Sequence, residues 1–221
     1  MQLEQNNQLL FIGDSITDCG RKRPIGEGGF DQALGNGYVS LVNAAITAIY
    51  PDFAIKVINM GVSGNTVLDL DSRWKRDVIE LNPDWLSILI GINDVWWLFN
   101  QGWRPGNQPN INDYTQTLDD LIHQVRPNLH GLILMTPYYL EPDLNDPLRM
   151  MMDRYGEVVK ELASKHNAIL VDSQAYFDRI LSWMDPFDLA PDRVHINLTG
   201  HMILTRAFLS SIEFSWERNW E

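Results

Sequence analysis

Short apolar runs alternate with longer amphipathic stretches along this chain of 221 residues. The runs at 9–12, 54–59, 85–90, 132–135 and 168–171 have the length of strands and are rich in Ile, Leu and Val. Between them, 38–50, 66–80, 112–125 and 147–166 read as helices, and a final helix covers about 198–209. Pro51, Pro83 and Pro127 follow helical runs that they cannot continue, and Asn112 and Asn197 are candidate N-caps. The alternation implies an α/β protein with a five-stranded parallel sheet and helices on both faces, a three-layer α/β/α sandwich. No repeat, low-complexity tract or linker interrupts it. The Pro- and Gly-rich stretch 102–109 reads as a loop, since the alternation resumes after it.

Length and composition narrow the classes. One domain of this size can bury roughly 70% of its unfolded surface without a disulfide or metal staple. Seventeen basic against 29 acidic residues give a formal charge of −12, which disfavours nucleic acid and anionic membranes as partners. Cys19 is the only cysteine, so no internal disulfide framework and no cysteine-rich zinc site can form. The opening residues are polar and acidic, without the basic segment and apolar core of a secretion signal, and no apolar run approaches membrane-spanning length. A soluble cytoplasmic protein is the expectation.

Open α/β sheets keep their ligand sites at the carboxyl edge, so the loops leaving the strands are the place to look for chemistry. Four stand out: Gly13-Asp14-Ser15, the turn from Asn59 through Gly64 and Asn65 to Thr66, Gly91-Ile92-Asn93-Asp94, and Asp192-Arg193-Val194-His195. Together they supply the parts of acyl transfer through a covalent intermediate. Ser15 is a nucleophile, His195 a base, and Asp192, three residues earlier in a tight turn, can reach back to orient the imidazole. A tetrahedral oxyanion needs preorganised donors, each worth about 3 to 4 kcal/mol. Gly64 offers a backbone N–H, Asn93 a side-chain amide, and Ser15 its own N–H.

These four segments resemble the four sequence blocks of the GDSL, or SGNH, hydrolases, named for serine, glycine, asparagine and histidine. By position, the resemblance implies Ser15 as nucleophile, Gly64 and Asn93 as oxyanion donors, His195 as base and Asp192 as its partner. It spans nearly the whole chain in the right order and implies the SGNH hydrolase fold, a flavodoxin-like sheet in the order 2-1-3-4-5. Ile196 stands where the family usually has proline after the histidine. A narrower similarity lies in the segments 15–21, 91–96, 133–137 and 192–195, which resemble the intracellular acetylxylan esterases of bacilli. That similarity implies a multimeric sugar acetylesterase acting on acetylated xylo-oligosaccharides, with no cofactor. Relatives with the same blocks act on other acyl esters, so a lipase-, lysophospholipase- or thioesterase-like activity is the alternative.

Each residue also has a plainer reading. Ser15 alone could cap a helix, Gly64 could serve a turn of positive φ, and Asn93 could bond its own backbone; their coincidence carries the inference. Asp14, Asp18 and Asp94 could be imagined as a hard-cation site, but Asp14 and Asp94 are better explained as holding two of the loops. Gly26-Glu27-Gly28-Gly29 lacks the Lys-Ser/Thr of a phosphate loop, and a non-catalytic binding protein would be expected to have lost a block. Cys19 reads as a small buried side chain, Ser63 as a loop hydroxyl, and His123, His130, His166 and His201 as solvated or packing positions. Trp96, Trp97 and Trp103 follow Asn93 and suit either sugar stacking or a subunit contact. Trp216 and Trp220, in a tail covering about 211–221, suggest docking on a partner chain, in keeping with the homo-oligomer that the resemblance implies.

Overall fold

The computed structural model describes residues 1–29, 32–99 and 109–218. Five strands run parallel: β1 (Gln8–Gly13), β3 (Lys56–Asn59), β4 (Trp85–Leu89), β5 (Gly131–Met135) and β6 (Ile169–Val171). Their order across the sheet, β3-β1-β4-β5-β6, is the expected 2-1-3-4-5. The sheet has a sixth strand that the sequence reading did not contain. This is β2 (Gly26–Glu27), antiparallel on the edge of β3 through the pairs Gly26–Asn59 and Glu27–Ile58. Two residues without apolar alternation carry no periodic signal, which is why it escapes a reading based on pattern.

The central strands are buried along their length: every residue of β4 and β5 is inside, as are Leu9 through Gly13 of β1. Such burial on both faces is what continuous apolar runs demand. Helices α2 (Tyr38–Ile49), α7 (Ser173–Leu181) and α9 (Leu198–Ser211) pack together on one face. The other face carries α3 (Val67–Trp74), α5 (Ile111–Val125) and α6 (Pro147–Lys165), with α4 (Ile92–Phe99) against α6.

Helix ends follow local chemistry. Asn197 caps α9, its carboxamide accepting the Gly200 N–H. The cap of α5 is Asn110 rather than Asn112, because the Asn110 side chain accepts the N–H groups of Asn112 and Asp113 while Asp113 returns the bond to the Asn110 N–H. The expected helix at 66–80 is α3 followed by a wider turn over Lys75–Ile79. Four short or medium helices fall where the sequence reading placed none: α1 (Ser15–Asp18), α4, α7 and α8 (Pro186–Leu189). Among the described residues, no helix is long and apolar enough to cross a membrane.

Candidate active site

The end of β1 delivers the serine. A side chain at Gly13 would place its Cβ 2.2 Å from the Leu89 carbonyl oxygen of β4, so only glycine lets the two strand ends lie this close. The chain then turns directly into α1, where Asp14 accepts the Ile16 N–H at 3.0 Å and fixes Ser15 at the helix start. Ser15 is half-buried, its hydroxyl open to a cleft of about 460 Å³.

Across that cleft lies the turn before α9. The Ser15 hydroxyl is 3.0 Å from His195 Nε2, and His195 Nδ1 is 2.6 Å from Asp192 Oδ2. The other oxygen of Asp192 accepts the backbone N–H groups of Val194 (3.0 Å) and His195 (2.8 Å). Partial burial alone would raise the Asp192 carboxyl. The bonds from the imidazole and the two N–H groups outweigh it and hold the group below the usual carboxylate range. The turn itself is anchored to the segment after β5. The Leu140 N–H donates to the Arg193 carbonyl, the Tyr138 hydroxyl donates to the Val194 carbonyl, and Arg193 pairs with Glu141. Ile196, in the place of the usual proline, is buried and packs where a side chain at Gly200 would otherwise stand. These contacts hold the turn that aims His195 without a ring at that position.

The loop after β3 carries Gly64, and the segment after β4 carries Asn93. Gly64 adopts φ +81°, a conformation that favours glycine, in the turn between Ser63 and Asn65. Asn93 does not sit in a loop. It lies in the first turn of α4, nearly buried, and its Nδ2 donates to the Asn65 carbonyl at 3.0 Å. Ser15, Gly64, Asn93 and His195 all line the one cleft, as do Trp96 and Trp97 on α4. Trp103 and Trp220 lie outside the described residues.

Buried carboxylates bind these loops to one another. Asp94 accepts the Val67 N–H at 3.0 Å, tying α4 to α3, and burial raises both Asp94 and Asp14 to about 7. Asp18 Oδ2 accepts from Ser63 and from Arg23, so Ser63 is a loop hydroxyl in service of α1. The three carboxylates imagined as a cation site are thus each bonded to loop or side-chain donors. Cys19 lines the cleft and is only half-buried, contrary to the expectation of a buried side chain. Its sulfur lies 3.4 Å from the buried His201, whose Nδ1 accepts the Tyr38 N–H. Burial pushes the thiol up to about 12 and the imidazole down to about 4, which favours the neutral form of each near pH 7.

One residue of the site escaped the sequence reading. Arg73 is buried on α3 and donates to the Gly13 carbonyl (2.9 Å), the Met60 carbonyl (2.7 Å) and Asn65 Oδ1 (2.7 Å). Its position on a helix, away from the strand-end loops, set it apart from the segments searched for chemistry. An arginine at a core-facing helical position is the one clue the pattern held.

Comparison with known proteins agrees with this fold. Residues 11–203 match the model of the GDSL-like lipase/acylhydrolase family. The chain is 50% identical over 219 residues to an acetylxylan esterase of Geobacillus stearothermophilus, covering 99% of this chain and all of that one. The crystal structure of that enzyme superposes with a TM-score of 0.96 at the same coverage. Its solved variants include catalytic mutants of a serine, a histidine and an aspartate. An α/β hydrolase from the metagenome of Lake Arreo, Spain, is 43% identical with a TM-score of 0.93, over 96% of this chain and 98% of its own. A serine, an imidazole and a carboxylate in bonded series on the carboxyl edge of a 2-1-3-4-5 sheet, together with a family match over most of its length, make this chain a member of the GDSL-like lipase/acylhydrolase family.

Proposed function

We propose that the protein is a serine esterase that removes acetyl groups from acetylated xylo-oligosaccharides, with Ser15, His195 and Asp192 as its catalytic triad. The observation that carries this reading is the bonded series from Ser15 through His195 to Asp192, at 3.0 and 2.6 Å, on the wall of a 460 Å³ cleft. His195 Nε2 takes the hydroxyl proton as Ser15 Oγ attacks the ester carbonyl, and Asp192 stabilises the resulting imidazolium. The oxygen that becomes negative is received by the Ser15 and Gly64 N–H groups and the Asn93 amide. His195 then gives its proton to the departing sugar oxygen, leaving acetyl on Ser15. Water, deprotonated by the same imidazole, attacks that ester, and the imidazolium returns the proton to Ser15 Oγ as acetate leaves.

Substrate class is supported by the acetylxylan esterase relative and by Trp96 and Trp97, whose faces suit a sugar ring. Cytoplasmic action belongs to the same reading and follows the resemblance to intracellular esterases. Self-association follows the resemblance to multimeric esterases, and Trp183 (81% exposed), Phe187 (56%) and Trp216 (50%) are large aromatic side chains available on the surface for it. Acetylated xylobiose assayed beside nitrophenyl esters of rising chain length tests the substrate. Preference for acetyl on xylose supports the proposal, whereas activity that grows with chain length favours the lipase-like alternative. Light scattering tests the assembly, and a monomer at micromolar concentration rejects it.

A further inference from the structure

Arg73 and Asn65 stand behind the oxyanion donors in a bonded relay. Arg73 Nε donates to Asn65 Oδ1 at 2.7 Å, and the backbone carbonyl of the same Asn65 accepts from Asn93 Nδ2 at 3.0 Å. The remaining guanidinium bonds reach Met60 O at 2.7 Å, before the Gly64 turn, and Gly13 O at 2.9 Å, two residues ahead of Ser15. One planar group therefore fixes the loop of the nucleophile and the loop of the oxyanion donors relative to each other. It is itself held from behind by Asp77, fully buried at 2.9 Å from Nη1.

The consequence for Asn93 follows from the geometry of an amide. Its NH₂ carries two hydrogens about 120° apart in one plane, so a bond from one of them fixes the direction of the other. The Asn65 carbonyl takes the first, and Asn93 is one of the residues that line the cleft. We propose that Arg73 and Asn65 are positioning residues for acyl transfer: Arg73 locks the Asn65 carboxamide, and Asn65, through its carbonyl, aims the Asn93 amide at the oxygen that becomes negative. The inference rests on the proposed oxyanion role of Asn93. An unaimed donor loses most of its worth, because stabilisation of a developing charge depends on donors oriented before the reaction begins.

Removing Arg73 leaves Asp77 buried with only Arg76 and endangers the fold, so Asn65→Ala is the variant of choice; it cuts only the link to Arg73 and leaves the Asn65 carbonyl in place. Asn65→Ala, Asn93→Ala and the double variant are assayed for kcat and KM on 4-nitrophenyl acetate, with Tm measured alongside. We expect Asn65→Ala to lower kcat at least tenfold with KM within twofold of the parent, and to lower it less than twofold in the Asn93→Ala background. An unchanged kcat, or an equal loss in both backgrounds, overturns the relay while leaving the oxyanion role of Asn93 standing. If Asn93→Ala itself leaves kcat unchanged, the oxyanion assignment and the relay fall together.

Discussion

Asp192 grips His195 at two levels, accepting the ring Nδ1–H on one carboxylate oxygen at 2.6 Å and the backbone N–H of the same residue on the other at 2.8 Å. The first contact sets the tautomer and the second sets the turn. Asp192→Asn keeps an oxygen for the backbone bonds but can present an amide to the ring, which favours the wrong tautomer. It should therefore lower kcat by on the order of 10³- to 10⁴-fold with little change in Tm, whereas Asp192→Ala should lower both. Rates on 4-nitrophenyl acetate beside melting curves distinguish the two; equal effects from Asn and Ala would show that the turn, not the tautomer, is what Asp192 provides.

Ser15 is the only hydroxyl bonded to His195 among the described residues. A fluorophosphonate should therefore add once per chain, and peptide mapping should place the adduct on Ser15. Ser15→Ala should abolish both labelling and ester hydrolysis while keeping the parent Tm. An adduct on Ser63 instead would contradict the reading of that hydroxyl as bonded to Asp18.

Much of this site was legible because its chemistry lies at strand ends, where a short apolar run breaks into Gly-Asp-Ser or Gly-Ile-Asn-Asp. The strand order followed from the family resemblance, and the five parallel strands from alternation alone. What stayed hidden has local causes. Gly91 before Asn93 suggested a loop, yet Ile92, Val95, Trp96 and Phe99 keep the i, i+3, i+4 spacing of α4. β2 is too short to show any period. Arg73 reaches the loops only because α3 packs beneath them, a tertiary fact that no spacing along the chain encodes.

Trp96 and Trp97 line the cleft from α4, so a sugar subsite predicts a split between substrates. Trp96→Ala and Trp97→Ala should raise KM for acetylated xylobiose roughly fivefold or more, the order of about 1 kcal/mol that an aromatic contact supplies. On 4-nitrophenyl acetate, which has no sugar, they should change little. Loss on both substrates alike would assign the two rings to packing.

Cys19 offers a contrast to Ser15 within the same cleft. With its thiol pushed up to about 12 by burial, it should react with iodoacetamide at pH 8 at least tenfold more slowly than a free thiol peptide. Cys19→Ser should retain most of the esterase activity. Rapid alkylation with parallel inactivation would mean that a thiolate forms beside the nucleophile.

Asp94 makes the fold sensitive to pH in a direction opposite to Asp192. Burial raises its folded value to about 7, above the ~3.9 of an unfolded aspartate, so the folded state holds the proton more tightly. Its contribution to stability is therefore greatest below about pH 4 and declines as pH rises to about 7, beyond which the loss is complete. Asp94→Asn keeps an oxygen to accept the Val67 N–H and removes the ionisation. The variant should gain on the parent as pH rises from 5 to 8, by about 2 to 4 °C in Tm for each kcal/mol recovered. Melting curves at pH 5, 6, 7 and 8 check this; a Tm difference that stays constant across them would mean that Asp94 keeps one protonation state, folded and unfolded alike, through that range.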